Sequence, residues 1–137
     1  MIKLVAIPPA SIEAIWPRLD AVYDEACKHS YGTLTKEGVK ARALTGDCTI
    51  WIAADSTDTE VTASCVTSAV EFMGGLRVLA VELLGGKVKY DIFDFRATLE
   101  RRAKEIGCTS VVFLVPRRWM KRLPDYDAAH VIMFKEV

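Results

Sequence analysis

Hydrophobic and polar positions follow two rhythms along this chain, and the points where the rhythm changes divide it into elements. Residues 2–7 (IKLVAI) are a short apolar run stopped by Pro8 and Pro9, which predicts a first strand. Ile12, Ile15, Trp16, Leu19, Val22, Tyr23 and Ala26 then recur at helical spacing, with Asp20, Asp24, Glu25 and Lys28 mostly on the other face. Ser11 is the expected N-cap. Pro17 predicts a kink or a late helix start, because it lacks the N–H that a helix interior uses. A shorter helix is predicted over residues 36–45, capped by Thr35 and closed by Gly46 and Asp47.

From residue 48 the period falls to two. CTIWIAA (48–54) reads as a strand, Asp55-Ser56-Thr57-Asp58 as a turn, and residues 60–72 as a long β-rich segment. Met73-Gly74-Gly75 predicts a tight turn, and LRVLAVELL (76–84) is apolar enough to be buried on both faces. Three strands with short turns predict an antiparallel meander. Gly85 and Gly86 are expected to end the third strand, and Asp91 to cap a helix that buries Ile92, Phe95, Leu99, Ala103 and Ile106 and stops at Gly107. SVVFLV (110–115) has the composition of a buried strand, which makes strand 76–84, the helix and strand 110–115 a β-α-β unit with a parallel pair. RRWMKRL (117–123) is long enough for one or two helical turns, and HVIMFKEV (130–137) reads as a last strand. The order β-α-α-β-β-β-α-β-(α)-β predicts a single α/β (α+β) domain over residues 1–137. Its sheet is mixed, an antiparallel meander plus one parallel pair, with helices on both faces.

Composition narrows the function without naming it. Hydrophobic residues are 51% and charged residues 26%, so the chain can fold around a core. Lys+Arg (18) balance Asp+Glu (18), which removes the basic excess of a dedicated nucleic-acid binder. No apolar run approaches the ~20 residues of a membrane span, and the start reads as a strand rather than a signal peptide, so a cytoplasmic location is expected. Cys27, Cys48, Cys65 and Cys108 are scattered without a C-x-x-C pair, and His29 and His130 lie far apart. No metal site is expected, and the four thiols read as buried structural residues. Charge is uneven: residues 96–122 hold eight basic residues against Glu100 and Glu105. Within them Arg117, Arg118, Lys121 and Arg122 surround Trp119. That segment is a candidate contact surface for a protein partner, since Trp and Arg anchor interfaces; solvated helix faces are the plainer alternative.

The element order in a chain of this size resembles the GNAT fold of N-acetyltransferases, over nearly its whole length. Residues 107–127 (GCTSVVFLVPRRWMKRLPDYD), Ala14-Ile15-Trp16-Pro17 and Thr35-x-Glu37-x-Val39 are similar to stretches in small GNAT-like proteins of bacteriophages and prophages. The resemblance implies a cleft where strands 76–84 and 110–115 splay, holding the pantetheine arm of acetyl-CoA. It also implies main-chain contacts from Leu83, Leu84, Gly85, Gly86, Lys87, Val88, Lys89 and Tyr90 to the cofactor, with its pyrophosphate where the central helix begins. The family loop is R/Q-x-x-G-x-G/A. Here the glycines are adjacent, the loop is short, and Asp91 puts a negative charge at the helix start; a simple strand-to-helix turn reads these residues equally well.

The same resemblance implies Glu82 as the base that takes a proton from an acceptor amine. Strand alternation places it beside Val78, Ala80 and Leu84, where a carboxylate is partly desolvated. A strand-end carboxylate paired with a local Lys or Arg is the plain alternative. Tyr126 is the implied acid for the leaving thiolate, or else a packed tyrosine in a turn. Glu71 is a second candidate base, and Cys65 reads as core. The basic segment could meet the 3′-phosphate of acetyl-CoA. Two functions are compatible with these residues: an acetyl-CoA-dependent N-acyltransferase with an atypical cofactor loop, or a non-catalytic, virion-associated (internal virion or tail) interaction protein of the same fold.

Overall fold

Five strands form one sheet in the order β1-β2-β3-β4-β5, each bonded to its neighbour in sequence. They are β1 (Lys3–Ile7), β2 (Thr49–Ala54), β3 (Ala63–Glu71), β4 (Arg77–Gly86) and β5 (Ser110–Phe113). The computed structural model describes residues 2–28, 30, 32–55, 57, 61, 63–86, 92–129 and 133–137. The first four strands are antiparallel neighbours, and β5 joins β4 in parallel, from Val78 opposite Ser110 to Val81 opposite Phe113. Helices α1 (Ile12–Cys27) and α2 (Lys36–Thr45) cover one face, and α3 (Arg96–Glu105) covers the other. The fold is the mixed α/β architecture that the sequence predicts.

Strand alternation divides the core in two. Ile50, Ile52 and Val66 pack with Ile12, Leu19 and Tyr23 of α1 and with Val39 and Ala43 of α2. Trp51, Ala53, Leu79 and Val81 pack with Leu99 and Ala103 of α3. β4 buries both of its faces, Leu79 and Val81 on the α3 side and Val78 and Ala80 on the other, as its unbroken apolar run requires. α2 begins where expected: the Thr35 hydroxyl accepts from the Gly38 N–H at 3.1 Å, and Gly46 closes the helix at φ 82°. α1 runs through Pro17, whose ring faces solvent, so the carbonyl of Glu13 that loses its partner faces water. Lys36 joins the two helices by reaching Asp24 at 2.7 Å and Asp20 at 3.2 Å, and these bonds push its ammonium up to about 12.

One irregularity shapes the far end of β4. Val66 lies opposite Glu82, yet Ser64 lies opposite Gly85, so β4 carries one more residue than β3 between those pairs. An extra residue of this kind shifts the alternation of the bulged strand. Gly85 is thereby turned toward α1, where an added Cβ would lie 3.0 Å from Val22 Cγ1 and 3.3 Å from the Ala26 Cβ. Close helix–strand packing explains this glycine. Beside it, the buried Tyr23 hydroxyl and Ser64 Oγ are 2.7 Å apart, and Ser64 Oγ donates to the Trp51 carbonyl at 2.7 Å. With the Ser64 proton so used, Tyr23 is the donor of the first bond, and the chain ties α1 to β3 at the level of the bulge.

Several expectations are corrected. Gly85 and Gly86 do not end β4 but lie within it, paired with Ser64 and Ala63, because the bulge lets the β3–β4 ladder continue. The central helix opens with a 3-10 turn at Ile92–Phe95, and α3 starts only at Arg96; Asp91, the expected cap, lies outside the described residues. Ser11 makes no side-chain cap, because a 3-10 turn at Pro9–Ser11 leads straight into α1. Cys27 is half-buried rather than core, near the end of α1. Residues 133–137 form no strand: Met133 is 90% and Val137 113% exposed, so the segment buries too little apolar surface to hold an added strand. Positions 130–132 of that expected strand lie outside the described residues.

Substitution tests both features of the β4 end. Gly85→Val should destabilise the fold by about 1–3 kcal/mol through overpacking against α1. Ser64→Ala should cost about 1–3 kcal/mol by leaving the buried Tyr23 hydroxyl unpaired, and Tyr23→Phe in the same background should recover part of that loss. Urea melts of the single and double variants measure both.

Candidate functional site

β4 loses one of its two partners at Val81. The Leu114 N–H donates to the Val81 carbonyl at 3.0 Å, and beyond it the β4–β5 pairing ends. β4 continues to Gly86 on β3 alone, so among the described residues its other edge carries no strand past Val81. A large open groove follows the β5 edge from Phe72 and Leu76 at the hairpin end to this fork, where Val22, Ala26, Glu82, Gly85, Val115 and Tyr126 line it.

Glu82 is the first residue past the fork. Its partner Val66 belongs to the core under α1 and α2, which puts the Glu82 side chain, half-buried, on that face. There it also lines a second, smaller cavity of about 160 Å³ between α2 and the sheet, together with Val39, Arg42, Cys48 and Ser68. The Cys48 thiol at its wall donates to the Val39 carbonyl at 3.7 Å. Burial raises that thiol above its ordinary range, Arg42 lowers it, and Asp47 and Glu82 raise it further. The cavity thus feels charges of both signs. Nothing in the sequence pattern announced it, because it joins α2 to β4 across some forty residues and no local periodicity links the two.

Tyr126 stands on the other face. It packs edge-on against Phe113 with ring centroids 5.3 Å apart, and its hydroxyl donates to Glu100 Oε1 of α3 at 2.8 Å. Burial first, then this bond and the negative charges of Glu100 and Asp125, hold the phenol protonated well above its ordinary range. Glu82 and Tyr126 are therefore not neighbours on one face but line the cleft from opposite sides of the sheet. Of the expected cofactor residues, Leu83, Leu84, Gly85 and Gly86 form the end of β4, while Lys87, Val88, Lys89 and Tyr90 lie outside the described residues.

Two candidates drop out. Glu71 pairs opposite Arg77 at the hairpin end of the sheet, the end away from the fork, and is exposed. Cys65 is fully buried in the α3-side core, and burial pushes its thiol up, away from any nucleophilic form. Among the described residues no group of three or more His, Cys, Asp or Glu side chains could hold a metal ion, and no helix is long and apolar enough to cross a membrane.

The basic segment is a 3-10 turn at Arg117–Arg122. Trp119 is half-buried and meets Phe93 edge-on at 5.8 Å; Phe93 in turn meets Phe113 at 5.7 Å. Arg118 lies over the Trp119 ring, Arg122 over Phe93, and Arg96 donates to the Arg122 carbonyl at 2.8 Å. The row Trp119–Phe93–Phe113–Tyr126 thus docks the turn on the α3 side, and Arg117, Arg118, Lys121 and Arg122 remain exposed. The tryptophan serves first to fasten the turn that displays those charges.

High pH tests the two buried phenols. Tyr23 and Tyr126 both hold their protons above the ordinary value of 10.0, Tyr23 mainly through burial. Above about pH 10 the unfolded chain releases protons that the folded chain keeps, so stability is complete below that pH and falls as pH rises through the alkaline range. Tyr23→Phe and Tyr126→Phe should each flatten that fall in denaturant melts.

Comparison with known proteins bears on the fold. No family model matches the chain, and no curated protein matches it in sequence. Solved structures do. An aminoglycoside acetyltransferase from an uncultured soil metagenomic sample superimposes with a TM-score of 0.71 at 10% identity, covering 100% of this chain and 97% of that one. Ribosomal-protein-alanine N-acetyltransferase from Brucella melitensis biovar Abortus 2308 gives 0.63 at 14% identity, over 98% and 100%. A predicted acetyltransferase with acetyl-CoA from Clostridium acetobutylicum gives 0.62 at 10% identity, over 100% and 96%. Across its whole length the chain has the fold of the GNAT acetyltransferases.

Proposed function

We propose that the protein is an acetyl-CoA-dependent N-acetyltransferase with Glu82 as its base. The observation that carries the reading is the fork after Val81, with Glu82 the first residue beyond it, at the meeting point of the open cleft and the α2 cavity. The fit to acetyl-CoA is favourable on the β4 side. A strand edge without a partner offers N–H and C=O groups to an extended, amide-bearing arm as it would to another strand. Leu83, Leu84, Gly85 and Gly86 would hold that arm, and Lys87, Val88, Lys89 and Tyr90 are proposed to continue the contact. The exposed Arg117, Arg118 and Lys121 are the charges available to its phosphates.

Acetyl-CoA, when bound, supplies an acetyl group activated as a thioester. Glu82 takes the proton of an acceptor amine that enters from the α2 side. Tyr126 on the α3 side is the proposed acid for the departing thiolate, and its hydroxyl must leave Glu100 to hand over that proton. Base and acid thus reach the gap from different faces, one serving the amine that adds to the thioester carbonyl and the other the thiolate that leaves it. A non-catalytic interaction protein on the same fold, of the virion-associated kind, is the second reading, favoured by the few residues that separate Gly86 from Ile92 in the sequence.

Calorimetry with acetyl-CoA at millimolar concentration separates the two. Measurable heat and a rise in melting temperature are expected, and Glu82→Gln should lower transfer to an amine by about 10²–10⁴-fold while leaving cofactor binding intact. Absence of heat and of any thermal shift would decide for the interaction protein.

A further inference from the structure

The α2 cavity carries a second charge that the proposed chemistry leaves unused. Arg42 lines it together with Glu82, and among the described residues the Arg42 guanidinium makes no ion pair. Both charges act on the Cys48 thiol, in opposite directions, with Asp47 acting in the same sense as Glu82. We propose that this cavity takes a small acceptor carrying an amine and an anionic group, the amine at Glu82 and a carboxylate or phosphate at Arg42. The assignment rests on the reading of Glu82 as the base and adds the substrate class.

The lining of the cavity supports it. Thr35, Gly38, Val39 and Arg42 all line the cavity, and they recur at helical spacing, so one face of α2 forms its wall. Gly38 is, after proline, the least favourable residue for a helix. A Cβ there would lie 3.0 Å from the Thr35 hydroxyl that caps α2, so the bare wall and the cap are kept together. The cavity is small, about 160 Å³, which suits a small amine rather than a peptide or a sugar chain. An arginine at the mouth repels a polycation and offers a carboxylate or phosphate two parallel N–H donors. Thr33 and Ser68 also line the cavity, together with the apolar Val39 and Val66.

Equilibrium binding tests the class without relying on turnover. β-Alanine, γ-aminobutyric acid and O-phosphoethanolamine are titrated at low salt, each against its neutral counterpart: β-alaninamide, 4-aminobutanamide and ethanolamine. At least one anionic probe should bind about tenfold or more tightly than its counterpart, the worth of one charge-assisted pair. Arg42→Gln should erase that preference, and Arg42→Lys should restore part of it. The carboxylate and phosphate arms distinguish the two anions. Equal binding within every pair, no binding of any probe, or a preference that survives Arg42→Gln overturns the proposal. Acetyl transfer measured on the same amines tells the two readings apart. Transfer that needs Glu82 but shows no anion preference sinks the substrate class and keeps the acetyltransferase. An Arg42-dependent preference without transfer keeps the site and sinks the chemistry.

Discussion

The hydrogen bond from the Leu114 N–H to the Val81 carbonyl is the last that joins β4 to β5, and the arrangement of the candidate site depends on where it falls. Parallel strands that stayed paired to their ends would leave no open edge on β4 and no gap between the faces of the sheet. Because β5 is only four residues long, β4 runs on with β3 as its one partner. The ladder on that side survives only through the extra residue between Glu82 and Gly85, which keeps Gly85 against α1 while its outer edge stays free. A short strand, a bulge and one close-packed glycine thus open the cleft together. None of the three creates it alone.

Much of this was legible in the sequence, for identifiable reasons. The limits of α2 follow from a capping threonine and a closing glycine, both local interactions, and they fall where expected. The β-α-β unit follows from an apolar run, a helical stripe and a second apolar run, and its parallel pairing is present. The bulge was not legible, because it is a mismatch between two strands and neither strand's own alternation records it. For the same reason Gly85 and Gly86 read as a turn, although the glycine at 85 answers a packing demand made by Val22 and Ala26 some sixty residues before it. Over residues 133–137 the expected last strand failed for the opposite reason. Its residues have strand composition, but strand composition buries nothing unless a partner covers it. Glu82 and Tyr126 both stand out as candidates in the sequence, yet their separation across the sheet is a property of pairing that spacing alone cannot carry.

That separation comes from the period of two along β4. Val81 faces the α3 side and Glu82 the α1–α2 side, so a slip of one residue in the register with β3 would exchange them. The bulge comes after Glu82, not before it, and so leaves this assignment untouched while shifting the residues up to Gly86. On the other face, Phe113 is paired with Val81, and Tyr126 packs on Phe113. The pair of residues at the fork therefore sets both sides at once: Val81, through Phe113, positions the tyrosine, and its neighbour in sequence presents the carboxylate. α2 closes the carboxylate's side chiefly by burying Val39 and Ala43, since its links to α1 through Lys36 and Lys40 are partly exposed ion pairs of small individual worth. Only a molecule that enters the gap can meet the two titratable groups together. A ligand confined to the α2 cavity meets Glu82 and Arg42 but not Tyr126, so on the proposed reading recognition of an acceptor and chemistry at a thioester are separable.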